Sequence, residues 1–491
     1  MLHRVHEILL VASPYDAFIL EEDGRLTAQI LHEYLGMNLS YAPRVWQANT
    51  AAYAMDLLSR RSIDLIIVML RISDMDPVTF GTKVKELYKN KPIILLAFDE
   101  SEVKQLPDNI DEVIDNVFVW TGDSNVFPAI IKCIEDTKNV KRDIRKGNVR
   151  AILFIEDTPW YYSSILPVIY KETLYHTKQL IDKSLNDTQR LLHMRGRPKI
   201  LLAKSYEVAE KYFKQYKNNI LGIISDIRFP KNGKLHPNAG ILFAKYVRTI
   251  ETTMPILLQS NEKEALELAR TITPNVLNKS YSTLFSELRE FIIYNFGFGD
   301  FVFKLPNGEE IGKAVNIEEL VEFISTIPKE SLDYHGSSNH FSNWLAARGE
   351  FKLATQFRMV KNTDFNNLDE RRQHHIDLIR NSQKTKQIGP VAEFRLTTKS
   401  LKANFLSIGT GSLGGKARGL AFANTYWGEA ELADKYPDVT LRVPKVAVVG
   451  TDEFDHFMDV NKLWETALSL DSNKDIEAVF LKGRLSRNLV Q

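Results

Sequence analysis

RAILFIED (150–157) and NILGIISD (219–226) decide the reading of the fold: each is a short apolar run that ends in acidic residues. Runs of this length and composition belong to strands covered on both faces, as in an open parallel sheet with helices on either side. KILLA (199–203), MPILLQS (254–260) and NVLNKS (275–280) repeat the pattern, and an amphipathic stretch runs from Trp160 to about Met194. This alternation predicts a doubly wound α/β domain over 148–295. The same rhythm occurs upstream in EILLVA (7–12), the helical LTAQILHEYL (26–35), DLIIVML (64–70), PIILLAF (92–98) and NVFVW (116–120), which predicts a first α/β domain over 1–140. ILLVASP (8–14) answers to ILFIEDTP (152–159), and DLIIVMLRISDMDP (64–77) to NILGIISDIRFP (219–230), so the two domains read as a divergent tandem of one fold.

Between them DTKNVKRDIRKG (136–147) is polar, lacks apolar periodicity and reads as a helix end plus linker. After Phe296 a turn-rich segment, FKLPNGEEIG (303–312), leads into helical stretches between Asn316 and Gln383, so 296–390 is expected to form a mostly helical, separately packed module. NFLSIG (404–409) then reads as a strand before a glycine-rich loop, a helix to about Lys435 and the strand RVPKVAVVG (442–450), within a last segment of 391–491.

At 491 residues the chain exceeds a single core, and a prior of roughly 100–200 residues per domain predicts several. The 63 basic and 62 acidic residues leave a formal charge of +1, which gives no bulk electrostatic argument for nucleic acid or an anionic membrane. No apolar run is long enough for a membrane span and no secretory leader is evident, so a cytoplasmic protein is expected. The one cysteine, Cys133, excludes an intrachain disulfide and a cysteine metal cluster, and reads as a small buried hydrophobe.

Ligands of open parallel sheets gather at the carboxyl ends of the strands. Glu156 and Asp157 follow AILFI and Asp226 follows GIIS, so three carboxylates would converge there and repel one another unless a hard cation lay among them. Oxygen ligands with open water positions suit Mg²⁺. Ser260 ends PILLQ and Lys279 ends NVLN, which adds a hydroxyl and an ammonium on the same edge. These are the groups a transferred phosphoryl requires: Asp226 to attack in line, Ser260 to donate a hydrogen bond, Lys279 and the cation to neutralise the oxygens. Taken singly, an Asp after a strand is more often a turn or helix cap.

Together these residues resemble the receiver domain of two-component response regulators. The resemblance implies a flavodoxin-like fold for both α/β domains, Glu156 and Asp157 as metal ligands, Asp226 as phosphoacceptor, Ser260 as switch hydroxyl and Lys279 as signalling cation. It also implies the backbone carbonyl of Arg228 in the metal shell, a histidine kinase or phosphotransfer protein as partner, and a homodimer. Two departures stand out: the stretch between the first and second strands is longer than in the family, and Ser280 follows Lys279 where the family usually has proline. The same template puts Ala12 and Ser13, Met69, Ala97, and Trp120 or Thr121 at the chemical positions of 1–140, so the first domain is expected to be a pseudo-receiver used for interaction. Asp74 and Asp76 lie nearby in the following loop, and a displaced acceptor there is the alternative.

GTGSLGGKARG (409–419) places backbone amides and Lys416 at the mouth of a helix, where amides and helix dipole attract phosphate. A Walker pattern fails because Ala417 follows Lys416, and Gly409, Gly411 and Gly414 meet the dinucleotide pattern only formally, since Glu429 and Glu431 fall in the helical stretch or at its end. GSLGGKARGLAFAN (411–424) followed by RVPKVAVVGTDEFDHFM (442–458) resembles the opening of the nucleotide-binding domain of phosphoenolpyruvate synthases and pyruvate phosphate dikinases. The resemblance implies the start of an ATP-grasp domain, ATP phosphates on Gly414, Gly415 and Lys416, and structural roles for Val443, Pro444 and Thr451. The rest of that family's machinery is missing, so the chain is expected to be an N-terminal fragment, with pyruvate or phosphoenolpyruvate as ligands only of a longer parent. A dinucleotide site and an ordinary turn remain alternatives.

ESLDYHGSSNHFSNWLAARGEF (330–351) brings His335 and His340 near each other, but five residues apart is poor spacing for one helical face. Phe341, Trp344 and Leu345 read as a buried face, with Ser338 or Asn339 as a cap. His374 and His375, in DERRQHHIDLIR (369–380), read as a solvated helix face. The expected function is thus a phosphorylation-responsive regulatory region of a phosphoenolpyruvate synthase-like phosphotransferase. The alternatives are a non-catalytic receiver-based scaffold and a regulator that senses ATP through Lys416.

Overall fold

The computed structural model describes residues 3–490 apart from 23–25, 37–41, 108, 121, 183–195, 361–363, 388–391, 394–404, 410, 412, 430–443 and 471. Thr121, Met194, Glu431 and Val443 therefore lie outside the described residues. The chain divides into two units, one holding 1–180 and 193–364, the other 181–192 and 365–491. This division falls at 364/365, whereas the sequence places a boundary at 390/391.

In the first unit, strands β1 (Glu7–Val11), β2 (Arg44–Ala48), β3 (Leu65–Met69), β4 (Ile93–Ala97) and β5 (Asn116–Val119) form a parallel sheet of order β2-β1-β3-β4-β5. β3 and β4 are buried at every position, because helices cover both faces of an internal parallel strand. β2 is an edge strand whose mixed burial explains why its sequence, RVWQA, does not stand out as a strand. The second sheet repeats the design with β6 (Ala151–Ile155), β7 (Lys199–Ala203), β8 (Ile220–Asp226), a short hairpin of β9 (Phe229–Lys231) and β10 (Lys234–His236), then β11 (Ile256–Ser260) and β12 (Val276–Asn278). Its order, β12-β11-β8-β6-β7, matches that of the first when read from the other edge, and all its neighbouring strands are parallel. The order reverses direction at β6 and β8, the point where ligands of such sheets gather beyond the carboxyl ends. The β9–β10 turn is Asn232-Gly233, both at positive φ (54° and 72°), as a two-residue hairpin loop requires.

The polar stretch 136–147 is not a linker. It completes a single helix, Val126–Gly147, which ends where Asn148 turns left-handed (φ 48°) and donates to the Ile144 carbonyl. Asp136 is fully buried on this helix. It accepts from Arg197 Nη1 (3.1 Å), from the Ile200 amide in β7 (3.0 Å) and from the Tyr170 hydroxyl (3.2 Å), with a second contact to Arg197 Nη2 and with Lys199 Nζ at 3.6 Å. The last helix of the first sheet is thereby fastened to the second. The helix Pro159–Asp182 adds to the joint: Ser163 Oγ accepts from the Val119 amide (2.9 Å), the Tyr162 hydroxyl bonds the Val117 carbonyl, and Tyr162 meets Phe118 edge to face. Cys133 is buried, and burial pushes its thiol up to about 12, so it is inert as a nucleophile.

Residues 296–364 begin with an antiparallel hairpin, β13 (Phe301–Lys304) and β14 (Glu310–Ala314), followed by helices Ile317–Thr326, Lys329–Ser337, His340–Ala347 and Phe351–Met359. Phe341, Trp344 and Leu345 are buried as expected. Asn339 does stand at the start of its helix, but in a left-handed conformation whose side chain donates to Thr253 Oγ1 (2.9 Å) and makes no cap bond. His335 and His340 lie on successive helices with their Nδ1 atoms 3.0 Å apart, and His335 Nε2 accepts from the Lys304 amide at 2.7 Å. Burial holds both imidazoles down, at about 3 and about 4, so they stay neutral and serve as a hydrogen-bonded part of the core.

The second unit contains the helix Leu368–Gln387 and a parallel sheet of β15 (Ala392–Glu393), β16 (Phe405–Ile408) and β17 (Val446–Val449) in the order β15-β16-β17. The helix Gly415–Glu429 follows the glycine-rich loop, and Thr451 begins the helix Thr451–Val460. The solvated reading of 369–380 is corrected for half of this helix: Arg371, His375, Ile376 and Ile379 are buried along one face, while His374 is exposed.

Candidate functional site

The carboxyl edge of the second sheet gathers every sequence-predicted residue of the acidic site. Glu156 and Asp157 immediately follow β6, Asp226 is the last residue of β8, Ser260 is the last of β11 and Lys279 follows β12. Carboxylate oxygens of Glu156, Asp157 and Asp226 lie within 4.8 Å of one another. Lys279 Nζ bridges two of them, at 2.6 Å from Glu156 Oε2 and 2.9 Å from Asp226 Oδ2, with its side chain only 2% exposed. The other Asp226 oxygen accepts from the Ile227 amide (2.7 Å), which fixes the carboxylate plane. Ser260 Oγ accepts from the Glu262 amide (3.1 Å), so the backbone orients the hydroxyl.

Charge and burial oppose each other in this cluster. Burial pushes Glu156 up, to about 8, against the pull of Lys279, and the Asp226 charge raises it further. Burial first and Asp226 second push Asp157 up to about 6. Burial pulls the Lys279 ammonium down, yet the Glu156 and Asp226 carboxylates outweigh it and raise its pKa above the ordinary value. Three carboxylates thus face this one ammonium, and Asp157 Oδ1 is buried with no hydrogen-bond partner. An uncompensated, oxygen-only cluster with an orphaned carboxylate oxygen fits a hard divalent cation such as Mg²⁺. Arg228 lies two residues beyond Asp226, and its side chain pairs with Glu262 at 3.3 Å.

Three contributors do not stand out in the sequence. Gln259 Nε2 donates to Glu156 Oε2 (3.2 Å), the Lys279 ammonium lies 4.1 Å from the centre of the Tyr161 ring, and Asn261 Nδ2 donates to the Tyr161 hydroxyl (2.6 Å). Gln259 and Asn261 flank Ser260, so their position in the strand-end segment is the signal available for them. Tyr161 has no such signal, because a helix turn brings it over the site.

The first sheet carries Ala12, Met69, Ala97 and Trp120 at the corresponding strand ends, and none offers a carboxylate. Asp74 is committed to the amides of Ala51 (2.6 Å) and Ala52 (3.1 Å), and Asp76 caps the helix Pro77–Leu87 through Val78 and Thr79. These hydrogen bonds hold both carboxyls below the usual range and engage them as caps.

In the second unit Gly414 precedes, and Gly415 and Lys416 open, the helix Gly415–Glu429; all three are exposed, and open space lies where a side chain would stand on either glycine.

No protein-family model matches the chain, and no curated protein matches it in sequence. Among solved structures it is similar to the signal receiver domain of an HD domain-containing protein from Pseudomonas fluorescens Pf-5, with 21% identity over 29% of this chain and 96% of that one and a TM-score of 0.23. A probable two-component system response regulator/GGDEF domain protein shares 11% identity over 59% of this chain and 97% of its own, with a TM-score of 0.25. NtrX from Brucella abortus shares 11% over 76% of this chain and all of its own, with a TM-score of 0.24. The α/β fold itself is given by strand order and parallel pairing. No described helix is long and apolar enough to cross a membrane.

Proposed function

We propose that residues 148–295 form a receiver domain in which Asp226 accepts a phosphoryl group from a histidine kinase, a phosphotransfer protein or a small phosphodonor. The observation that carries this reading is the Lys279 ammonium seated between Glu156 and Asp226 beside the orphaned oxygen of Asp157. Glu156, Asp157 and Asp226 would hold Mg²⁺, with the Arg228 carbonyl as a further ligand. When bound, the cation lowers the charge on the phosphoryl oxygens. An Asp226 carboxylate oxygen forms the new bond to phosphorus while the bond from phosphorus to the donor atom breaks, and that atom leaves with the electron pair: an imidazole nitrogen where the donor is a phosphohistidine, the acetate oxygen where it is acetyl phosphate. Lys279 moves its ammonium from carboxylate to phosphoryl oxygen, and the Ser260 hydroxyl donates a hydrogen bond to another.

Full-length protein incubated with acetyl phosphate and Mg²⁺ is expected to gain an alkali-labile acyl phosphate that Asp226→Asn lacks, read by mass spectrometry. Equal labelling of the two proteins, or none in either, overturns the assignment. The first α/β domain, without an acceptor, serves this reading as a docked scaffold.

For the second unit the reading is the opening of a phosphoenolpyruvate synthase-like, ATP-binding domain, which makes the receiver a regulator of a phosphotransferase. The exposed Gly414, Gly415 and Lys416 at a helix start favour it, since amides and ammonium there suit phosphate. ATP titration by calorimetry should give an affinity that Lys416→Ala weakens by about tenfold or more, in keeping with a lost charge-assisted contact. Unchanged affinity, or no binding by wild type, removes this part of the proposal.

A further inference from the structure

An ammonium has three donors, and two of those on Lys279 are taken by Glu156 and Asp226. The Tyr161 ring stands against the ammonium as well, 4.1 Å away, at a distance where the ring's electron-rich face attracts a cation. Tyr161 sits in the first turn of the helix Pro159–Asp182, its amide bonded to the Thr158 carbonyl (3.1 Å), so the segment that supplies Glu156 and Asp157 also supplies the ring. A hydrogen-bonded strap holds the ring in place: Asn261 donates to the Tyr161 hydroxyl (2.6 Å), and Ser280 Oγ donates to Asn261 Oδ1 (3.0 Å). Asn261 follows Ser260 and Ser280 follows Lys279, so the strap joins the ends of β6, β11 and β12 around the acceptor.

We infer that Tyr161 is the positioning residue for Lys279: its ring keeps water from the ammonium and seats it against Asp226, thereby setting how tightly the phosphoryl group is held and how long it persists. This rests on the receiver reading above and adds a residue to it. Tyr161 itself makes no bond to the phosphoryl group. The hydroxyl only steadies the ring, so the ring and not the phenol oxygen is the part that matters most.

The test uses full-length protein and beryllofluoride with Mg²⁺, followed through tryptophan fluorescence, Trp160 standing with Tyr161 in the first turn of the helix Pro159–Asp182. Tyr161→Leu is expected to weaken beryllofluoride binding about tenfold, the scale of a dehydrated cation–ring contact, and to shorten the acyl phosphate lifetime severalfold. Tyr161→Phe should restore binding to within about threefold of wild type, the scale of one neutral hydrogen bond. Mg²⁺ affinity measured without beryllofluoride should be equal in all of them, because the three carboxylates are untouched. Asn261→Ala, which removes the same bond to the hydroxyl and leaves the ring in place, should match Phe.

Wild-type binding by Tyr161→Leu, failure of Phe to rescue, or a parallel fall in Mg²⁺ affinity would each overturn the positioning role while leaving Asp226 phosphorylation intact. Absence of beryllofluoride binding in wild type would bring down the receiver reading and this inference with it.

Discussion

Replacing Asp136 with alanine is expected to destabilise the protein by about 3–5 kcal/mol, the usual cost of removing one partner from a buried ion pair. Asp136 is fully buried and neutralises Arg197, itself 3% exposed, while Lys199 at 0% exposure keeps Asp143 at 3.1 Å as its other anion. Taking away the carboxylate leaves the Arg197 guanidinium in the protein interior without its anion and strips an acceptor from the Ile200 amide and the Tyr170 hydroxyl. Asp136→Asn keeps the shape and part of the hydrogen bonding, so its loss should be smaller. Urea unfolding followed by circular dichroism measures both variants, and a loss under about 1 kcal/mol for alanine would mean that water or a neighbouring carboxylate compensates the arginine. Because the cluster joins the helix Val126–Gly147 to β7, the variant is also expected to lose the joint between the two sheets before either sheet melts.

The same cluster explains what the sequence conceals. A polar segment is read as surface because burying an unpaired charge costs several kcal/mol, and pairing across 61 residues, as between Asp136 and Arg197, leaves no periodic trace. His375 and Arg371 are buried on a charged helix in the same way. Internal strands are legible for the opposite reason: with both faces covered, β3, β4 and β6 are continuous apolar runs. The edge strand β2 is only partly covered and goes unnoticed, and the β9–β10 hairpin is missed although Asn232-Gly233 carries a strong turn signal.

At the site, Glu156, Asp157, Asp226, Ser260 and Lys279 are readable because sheet topology forces the ends of parallel strands together, so order along the chain becomes proximity. The Tyr161 ring over Lys279 and the Gln259 bond to Glu156 are not, since strand-end position marks Gln259 as a candidate but only rotamer and helix entry angle give these contacts. Those follow only from packing.

Gly240→Ala should be the most damaging substitution at the site that leaves every chemical group in place. Gly240 is the second residue of the helix Ala239–Ile250, and a methyl group there would stand 2.1 Å from the carbonyl oxygen of Asp226 and 2.9 Å from the Ile227 Cα. Both neighbours are backbone, so no rotamer change relieves the clash. The helix must withdraw from the end of β8, and with it goes the Gly240 amide bond to the Ile227 carbonyl (2.9 Å). Overpacking of this kind costs about 1–3 kcal/mol, and the rigid contact argues for the upper end. The larger effect is functional, because the strand end that shifts is the one carrying Asp226: a displacement of about 1 Å in a reacting group lowers rate on the order of 10²-fold. Phosphorylation by acetyl phosphate should therefore fall by about two orders of magnitude in a protein that still folds. Gly419→Ala, in the helix Gly415–Glu429 with open space around it, provides the contrast and should be neutral or stabilising by up to about 1 kcal/mol, as helix propensity predicts. Wild-type phosphorylation by Gly240→Ala would show that Asp226 tolerates a moved backbone, and the view of this site as a rigidly seated acceptor would then be wrong.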